Sequence, residues 1–236
     1  MAMTLDELVE QLRKAYGASV RSIILYGSAV AGEHIAKRSD YNVLVVLDAV
    51  PVDRLAAVGA VLRSWADAGN PAPMTFTATE WRSSADVFPM EYADILERHR
   101  VLFGEDVCEG MTVSRTDLRL QVEQQALGKL LHLRRGAMAA GGDEKDQLEL
   151  LEASLSAIMV VLRGVSRLHG KIPPQDYSLL TKDIAGKAGF DPSATLRVVQ
   201  HVRGTEKVKR EEAAAVLAGY MAGMEALVAY LDRFTA

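Results

Sequence analysis

The chain is poor in several residue types, and each shortage excludes a class of protein. Cys108 is the single cysteine among 236 residues. An internal disulfide and a multi-cysteine metal site are therefore excluded, as is usual for proteins of the reducing cytoplasm. Basic residues are not in excess either, because the formal net charge is −4. We therefore expect no whole-protein affinity for nucleic acid or for an anionic membrane.

Long hydrophobic runs and targeting signals are also missing from the pattern. Residues 1–7 contain no basic region followed by an apolar run, so a signal peptide is not expected. No uninterrupted apolar stretch approaches the roughly 20 residues that span a bilayer. Hydrophobic residues nevertheless make up 49% of the chain and charged residues 25%, which is ordinary for a globular protein. We predict a soluble, cytoplasmic protein without a membrane partner.

The pattern of apolar residues changes near residue 110. Before it, short apolar runs alternate with helical periodicity, and after it only helical periodicity remains. We therefore predict an α/β (α+β) domain with a small mixed sheet over 1–110 and an all-α helical bundle over 111–236. The strands are predicted over 22–26, 41–47, 74–77 and 100–103, the last at a sheet edge. Helices are predicted near the start of the chain and over 52–66, 115–139, 144–169, 175–188, 192–203 and 209–234.

Two short polar motifs flank consecutive predicted strands. Gly27 and Ser28 follow the first strand, and Ser39 and Asp40 precede the second. The second strand begins with Tyr41 and Asn42. A glycine lets the backbone turn sharply beside a phosphate, and the amides at the start of a helix attract anions. A serine hydroxyl can donate a hydrogen bond to the same phosphate. Gly-Ser alone is common in turns, so this prediction of a phosphate cradle depends on the combination with Asp40.

This combination resembles the opening of the nucleotidyltransferase superfamily, which includes the aminoglycoside and kanamycin nucleotidyltransferases. In that family an Asp-x-Asp motif on the second strand holds Mg²⁺, and a helical domain completes the acceptor site. The resemblance implies a nucleoside triphosphate such as ATP, with Mg²⁺ in an active member. It also implies that Gly27, Ser28 and Ser39 bind the nucleotide and that Asp40 is the catalytic residue and a metal ligand. It extends through residues 86–106 and into 118–131.

The acidic residues that such a metal site needs are incomplete. Asn42 occupies the second position of the Asp-x-Asp motif, where its neutral oxygen is a weak ligand, and the predicted third strand contains no carboxylate. Because Mg²⁺ prefers several charged oxygen ligands, tight metal binding is not expected. Six other acids are candidates to replace the missing ones, although a solvated surface position explains each of them more simply: Glu33, Asp48, Glu80, Glu91, Asp94 and Glu97.

The first long helix of the second half carries two contrasting sets of side chains. One face is predicted to contain the apolar residues Leu120, Leu127, Leu131 and Met138. The opposite face contains the polar residues Gln125, Lys129 and His132. We assign Lys129 to nucleotide binding, with a solvated outer face as the alternative explanation.

The remaining basic residues suggest little further chemistry. Arg163 and His169 fit loosely the Arg-x(4–6)-His pattern of HEPN ribonucleases. Residues six positions apart do not share a helix face, however, so a ribonuclease is a weak alternative. Three other histidines show no metal-ligand spacing: His34, His99 and His201.

Two hypotheses about function follow from the sequence. In the first, the chain is a pseudoenzyme, a nucleotidyltransferase-fold protein that binds a nucleotide while Mg²⁺-dependent transfer is impaired or lost. In the second, it is an active transferase that moves a nucleoside monophosphate to an aminoglycoside-like small molecule or to a protein hydroxyl. Both hypotheses imply a nucleotide as a partner, and a homodimer is compatible with both.

Overall fold

The structure is a computed structural model that describes residues 3–31 and 41–235. The chain divides into two compact units, Met1–Ser114 and Arg115–Ala236. Each unit has its own buried core.

The first unit alternates helices with strands. Thr4 caps the first helix, because its side chain accepts a hydrogen bond from the Glu7 amide. The helices are α1 (Leu5–Tyr16), α2 (Val52–Ala57), α3 (Gly59–Asp67), α4 (Ala78–Ser83) and α5 (Pro89–Glu97). The strands are β1 (Val20–Tyr26), β2 (Asn42–Leu47), β3 (Met74–Thr77) and β4 (His99–Gly104), and 3₁₀ turns cover Gly17–Ser19 and Gly27–Ala31.

The four strands form one sheet in the order β3-β2-β1-β4. Strand β1 pairs antiparallel with both β2 and β4, whereas β2 pairs parallel with β3. The predicted small mixed sheet is thus confirmed. Strand β2 is buried along almost its whole length, as its nearly continuous apolar sequence predicts.

The sheet has an apolar layer on each face. One layer packs α1 and Trp65 of α3 against alternate residues of β1 and β2, such as Ile23 and Val45. The other layer packs Trp81 of α4 and residues of α5 against the intervening positions, such as Leu44. Alternate residues of a strand therefore reach different cores.

The second unit is helical, which confirms that part of the predicted fold. Its helices are α6 (Arg115–Ala140), α7 (Glu144–Leu168), α8 (Tyr177–Ala188), α9 (Ser193–Arg203) and α10 (Ala213–Asp232), with a 3₁₀ turn at Arg210–Glu212. The side chains of Ile158, Leu162 and Leu227 are almost completely buried in its core.

Several element boundaries differ from the sequence-based prediction. The helix predicted over 52–66 is two helices, α2 and α3, that meet at Val58. Helix α9 begins one residue later than predicted, because Pro192 takes the capping position and Asp191 accepts hydrogen bonds from Ser193. Such shifts depend on packing that local sequence does not describe.

Helix α10, together with the turn before it, has the length and composition of a membrane span, although Glu225 interrupts its apolar run. Residues Arg210–Asp232 reach a mean hydropathy of 1.5 over an 18-residue window. Tyr220 and Leu231 are fully buried, and α10 contacts α6, α7 and α9. In that window 39% is buried, so packing inside the helical unit accounts for part of its apolar composition.

The apolar face predicted for α6 is not part of the core. The core of α6 is made instead by Leu118, Val122, Ala126, Leu130 and Leu133. The four predicted residues form an exposed row, the α6 row, with exposed fractions of 54% for Leu120, 44% for Leu127, 48% for Leu131 and 75% for Met138. A helix with apolar residues on two sides offers more than one candidate buried face, and sequence periodicity alone does not choose between them.

Candidate functional site at the end of strand β1

The candidate site is centred on the turn that ends β1. Gly27 has a φ of 79°, a left-handed conformation that side chains with a Cβ adopt at a cost. Its N–H donates a hydrogen bond of 3.0 Å to the Arg98 carbonyl, just before β4. The chain then enters the 3₁₀ turn Gly27–Ala31, which begins with Gly27 and Ser28. The reversal that a phosphate cradle requires is therefore present at the predicted position.

Three neighbouring strands each place one residue in a row across this end of the sheet. Tyr26, the last residue of β1, pairs with Asn42 of β2 and with His99 of β4. Residues directly opposite each other in an antiparallel pair lie on the same face. A Cβ added to Gly27 would lie 3.7 Å from the Asn42 side-chain nitrogen. Gly27 and Asn42, which are 15 positions apart in sequence, are thus neighbours in space.

The structure describes only some of the other residues that were predicted for this site. Ser28 lies in the 3₁₀ turn immediately after Gly27. Ser39 and Asp40 lie outside the described residues, so their roles stay predictions. Asn42 is the first residue of β2. Among the described residues, the position predicted to bind the metal at this end of the sheet is therefore occupied by the neutral amide of Asn42.

Two of the acids considered as replacements have other partners. Asp48 accepts a hydrogen bond of 2.5 Å from Arg21, at the opposite end of β2 from Asn42. Glu80 forms a capping box with Thr77, because each backbone N–H donates to the side chain of the other residue. The Thr77 N–H also lowers the pKa of the Glu80 carboxyl. These carboxylates stabilise local structure, and Glu33 lies outside the described residues.

The other candidate acids lie on α5. Glu91 is exposed, whereas Asp94 and Glu97 are half-buried. Glu97 lies 3.2 Å from the Arg98 guanidinium. Strand β3 itself contains only Met, Thr and Phe, as the sequence indicated.

Lys129 lies in the helical unit, in a cleft between α6 and α7. The cleft has a volume of about 390 Å³. Lys129, His132 and Arg135 line it together with the buried Ser154, and its floor includes Leu133 and Ile158. Lys129 and His132 thus share a cleft as well as a helix face. The role of Lys129 in nucleotide binding stays a prediction.

The structure separates the two residues that suggested a ribonuclease. The Arg163 guanidinium lies over the Tyr177 ring, 5.6 Å from its centroid. His169 instead forms a 2.8 Å hydrogen bond with the Tyr230 hydroxyl. Each residue thus has a different aromatic partner, and neither contact involves the other residue of the pair.

A cluster of possible metal ligands, which the sequence did not predict, lies near the start of β4. Ligand atoms of His99, Asp106 and Cys108 lie within 4.8 Å of one another. Partial burial raises the pKa of Asp106, but the Cys108 N–H and His99 outweigh it and hold that pKa below the usual range. Burial raises the pKa of the Cys108 thiol to about 12. Because the three ligands are of different types, the spacing of the histidines alone does not predict this cluster.

Comparisons with known proteins find similarity in structure but none in sequence. No family model matches the chain, and no curated protein matches it. One similar crystal structure is that of the spectinomycin adenyltransferase AAD(9) from Enterococcus faecialis with ATP and spectinomycin. The match covers 97% of this chain and 98% of that chain with a TM-score of 0.60 and 12% sequence identity. At this identity the similarity concerns the fold, and the chain therefore has the fold of a nucleotidyltransferase.

Proposed function

We propose that this protein binds a nucleoside triphosphate, such as ATP, at the turn that ends β1, and that its Mg²⁺-dependent nucleotidyl transfer is impaired or lost. One observation carries the proposal: the amide of Asn42 lies beside Gly27, where the resembled family has a carboxylate. The turn keeps the geometry suited to a phosphate, while the neighbouring β2 position has lost its charge.

The phosphates are held by the backbone of the turn and by nearby side chains. Gly27 lets the chain approach the phosphate oxygens closely, and Ser28 and Ser39 donate hydroxyl hydrogen bonds. Asp40 is the remaining acid of the motif, and the assignment of Lys129 to nucleotide binding rests on the sequence alone. The neighbour's crystal structure with ATP supports a nucleotide as the ligand.

The donor set at this edge fits Mg²⁺ poorly. This ion prefers octahedral oxygen ligation, usually by carboxylates and phosphate oxygens. Asn42 supplies a neutral oxygen, β3 supplies no carboxylate, and Asp48 and Glu80 have other partners. Two metal ions close together need several negative charges to offset their repulsion. We therefore assign no reaction step to Mg²⁺ here.

A second candidate function is active transfer of a nucleoside monophosphate to a small molecule or a protein hydroxyl. The observation that favours it is the neighbour, an adenyltransferase whose crystal structure holds both ATP and spectinomycin. An active enzyme would need Asp40, Asn42 and a further acid, and the α5 residues Glu91, Asp94 and Glu97 offer carboxylates in the same unit. Either function is compatible with a cytoplasmic location.

Calorimetry with and without Mg²⁺ tests the first proposal. We expect wild type to bind ATP with little dependence on Mg²⁺, and Asn42→Asp to gain a marked Mg²⁺ dependence. The added charge strengthens cation binding only if it lies beside the phosphates. Gln11→Glu is the matched control, because it adds the same charge at an exposed position on α1 and should leave the Mg²⁺ dependence unchanged.

Two results would contradict this proposal. Absence of ATP binding in both wild type and Asn42→Asp would remove the nucleotide site. Transfer of label from ATP labelled at the α-phosphate to spectinomycin or to a protein, by wild type with Mg²⁺, would favour the second function instead. The same assay on Asp40→Asn identifies a reaction that depends on the predicted catalytic residue.

A further inference from the structure

Three side chains of different chemistry converge where β4 begins. The His99 Nε2 atom lies 3.3 Å from Asp106 Oδ2. The Cys108 sulfur completes the group, and all three ligand atoms lie within 4.8 Å of one another. His99 belongs to β4, while Asp106 and Cys108 belong to the loop that follows the strand. Folding therefore brings the loop after β4 back to the His99 imidazole.

The hydrogen bonds of His99 require a positive charge at this place. Its Nδ1 atom lies 3.0 Å from the Ile95 carbonyl oxygen, which can only accept, so Nδ1 carries a proton. Its Nε2 atom faces the Asp106 carboxylate, which is also an acceptor. A neutral imidazole would direct a lone pair at that carboxylate. A second proton or a bound cation between Nε2 and the carboxylate would satisfy both acceptors.

The donor set selects the kind of cation. One imidazole nitrogen, one carboxylate oxygen and one thiolate sulfur are ligands of Zn²⁺, whereas Mg²⁺ and Ca²⁺ prefer oxygen alone. The hydrogen bond from His99 Nδ1 to a backbone carbonyl is the arrangement that orients a metal-binding histidine. Asp106 is oriented in the same way, because its other oxygen accepts the Cys108 N–H at 3.0 Å.

The loop that carries two of the ligands is held in place from both sides. The Ser22 hydroxyl donates a 2.6 Å hydrogen bond to the Glu105 carbonyl, and the Glu105 N–H donates to the Arg21 carbonyl. The Trp81 indole donates to the Val107 carbonyl at 2.9 Å. Ligands on a preorganised loop lose little conformational freedom when a metal binds.

We propose that His99, Asp106 and Cys108 bind one Zn²⁺ ion, with water in a fourth, open position. The side chains of His99 and Asp106 are 21% and 43% exposed, which gives the ion a route from solvent. Binding forms a zinc–sulfur bond, and the thiol proton of Cys108 passes to solvent.

The site lies next to the nucleotide cradle but does not depend on it. Arg98, whose carbonyl accepts the Gly27 N–H, immediately precedes His99. A metal that fixes His99 would therefore also stiffen the end of β4 that supports the Gly27 turn. The zinc proposal stands whether or not a nucleotide binds there.

Cobalt substitution tests the site directly. Metal-free full-length protein is titrated with Co²⁺, which takes the place of Zn²⁺ in sites of this geometry and absorbs light. We expect one equivalent to bind, with a sulfur-to-cobalt charge-transfer band in the near ultraviolet and visible bands typical of tetrahedral Co²⁺. One equivalent of Zn²⁺ should then remove these bands.

Variants separate this site from other metal-binding groups. Cys108→Ser should abolish the charge-transfer band, and His99→Gln should weaken binding at least tenfold. His132→Ala, which removes an exposed histidine of the helical unit, should leave the titration unchanged. Cys108→Ala serves as a second variant in case His99→Gln does not fold, and circular dichroism checks the fold of both.

The opposite results are equally clear. A wild-type titration without a charge-transfer band, or binding that Cys108→Ala leaves unchanged, would overturn the proposal. His99 and Asp106 would then form a simple imidazolium–carboxylate pair. Nucleotide calorimetry on Cys108→Ser keeps this result separate from the proposed function, because ATP binding should persist in that variant.

Discussion

At the scale of single residues, two glycines with positive φ act differently. A Cβ on Gly27 would make only an ordinary van der Waals contact, the nearest atom being the Asn42 side-chain nitrogen at 3.7 Å. A Cβ on Gly104 would lie 1.9 Å from the Arg21 carbonyl oxygen, at a φ of 82°. Gly27 is therefore required by its backbone conformation alone, whereas Gly104 is required by its conformation and by close packing of β4 on β1.

Alanine substitutions should rank accordingly. We expect Gly27→Ala to reduce the free energy of unfolding by about 1–2 kcal/mol, the cost of a left-handed conformation. Gly104→Ala should cost distinctly more, because backbone must also move. Gly142→Ala, at an exposed position with open space and without positive φ, should change stability by less than about 0.5 kcal/mol. Urea denaturation measures all three, and a larger loss for Gly27 than for Gly104 would contradict this account.

At the scale of elements, helix α8 contains a group that links stability to pH. Lys187, one turn further along, lowers the pKa of the Asp183 carboxyl by a hydrogen bond, and Lys171 adds to the effect. Lys171 lies 3.4 Å from the carboxylate. A carboxyl whose pKa is lower in the folded state stabilises the fold above its unfolded pKa, and this stabilisation is lost as the pH falls through the folded pKa.

Replacing Asp183 should remove this pH dependence. At neutral pH, Asp183→Asn is expected to lower the free energy of unfolding by on the order of 1 kcal/mol. The difference from wild type should shrink as the pH falls below the usual aspartate range, because the wild-type carboxylate is then protonated. Asp232→Asn, at the exposed end of α10, is the control. A difference between wild type and Asp183→Asn that stays constant from pH 7 to acid would show that the ion pair is not responsible.

At the scale of the whole molecule, the boundary between the units is a prediction that fragments can test. The helical unit buries its own core, including Leu162, Tyr220 and Leu231. We expect residues 111–236 expressed alone to give a helical circular-dichroism spectrum and one cooperative thermal transition. A helical spectrum that melts without a cooperative transition would show that the first unit is needed for packing. The fragment 1–110 supplies the complementary measurement.

The homodimer with which the sequence is compatible can be tested on the α6 row. Leu120 and Met138 lie equally far from position 129, as do Leu127 and Leu131. In an antiparallel pair of α6 helices centred there, Leu120 would face Met138 of the other copy and Leu127 would face its Leu131. Each of these apolar contacts would occur twice, as a two-fold interface requires. Sedimentation velocity should show a dimer for wild type and a monomer for Leu131→Glu. Leu179→Glu, at an exposed leucine outside the row, should remain dimeric, and a wild-type monomer at every concentration would exclude the dimer.

Much of this protein is determined by local sequence. The capping box at Thr4, the buried run of β2 and the glycine turn after β1 depend on residues close together in the chain, so pattern and propensity predict them. The same holds for the change from a mixed sheet to helices, and the resemblance carried by Gly27, Ser28, Asp40 and Asn42 pointed to the fold that the structural comparison then confirmed.

Other features were decided only when distant segments met. The break at Val58, the choice of core face on α6 and the burial of α10 depend on which surfaces the neighbouring elements present. The contact of Gly27 with Asn42 and the cluster of His99, Asp106 and Cys108 arise from strand register and loop closure. Periodicity records which side chains share a face of one element, but the partner of that face is set by packing across the whole chain.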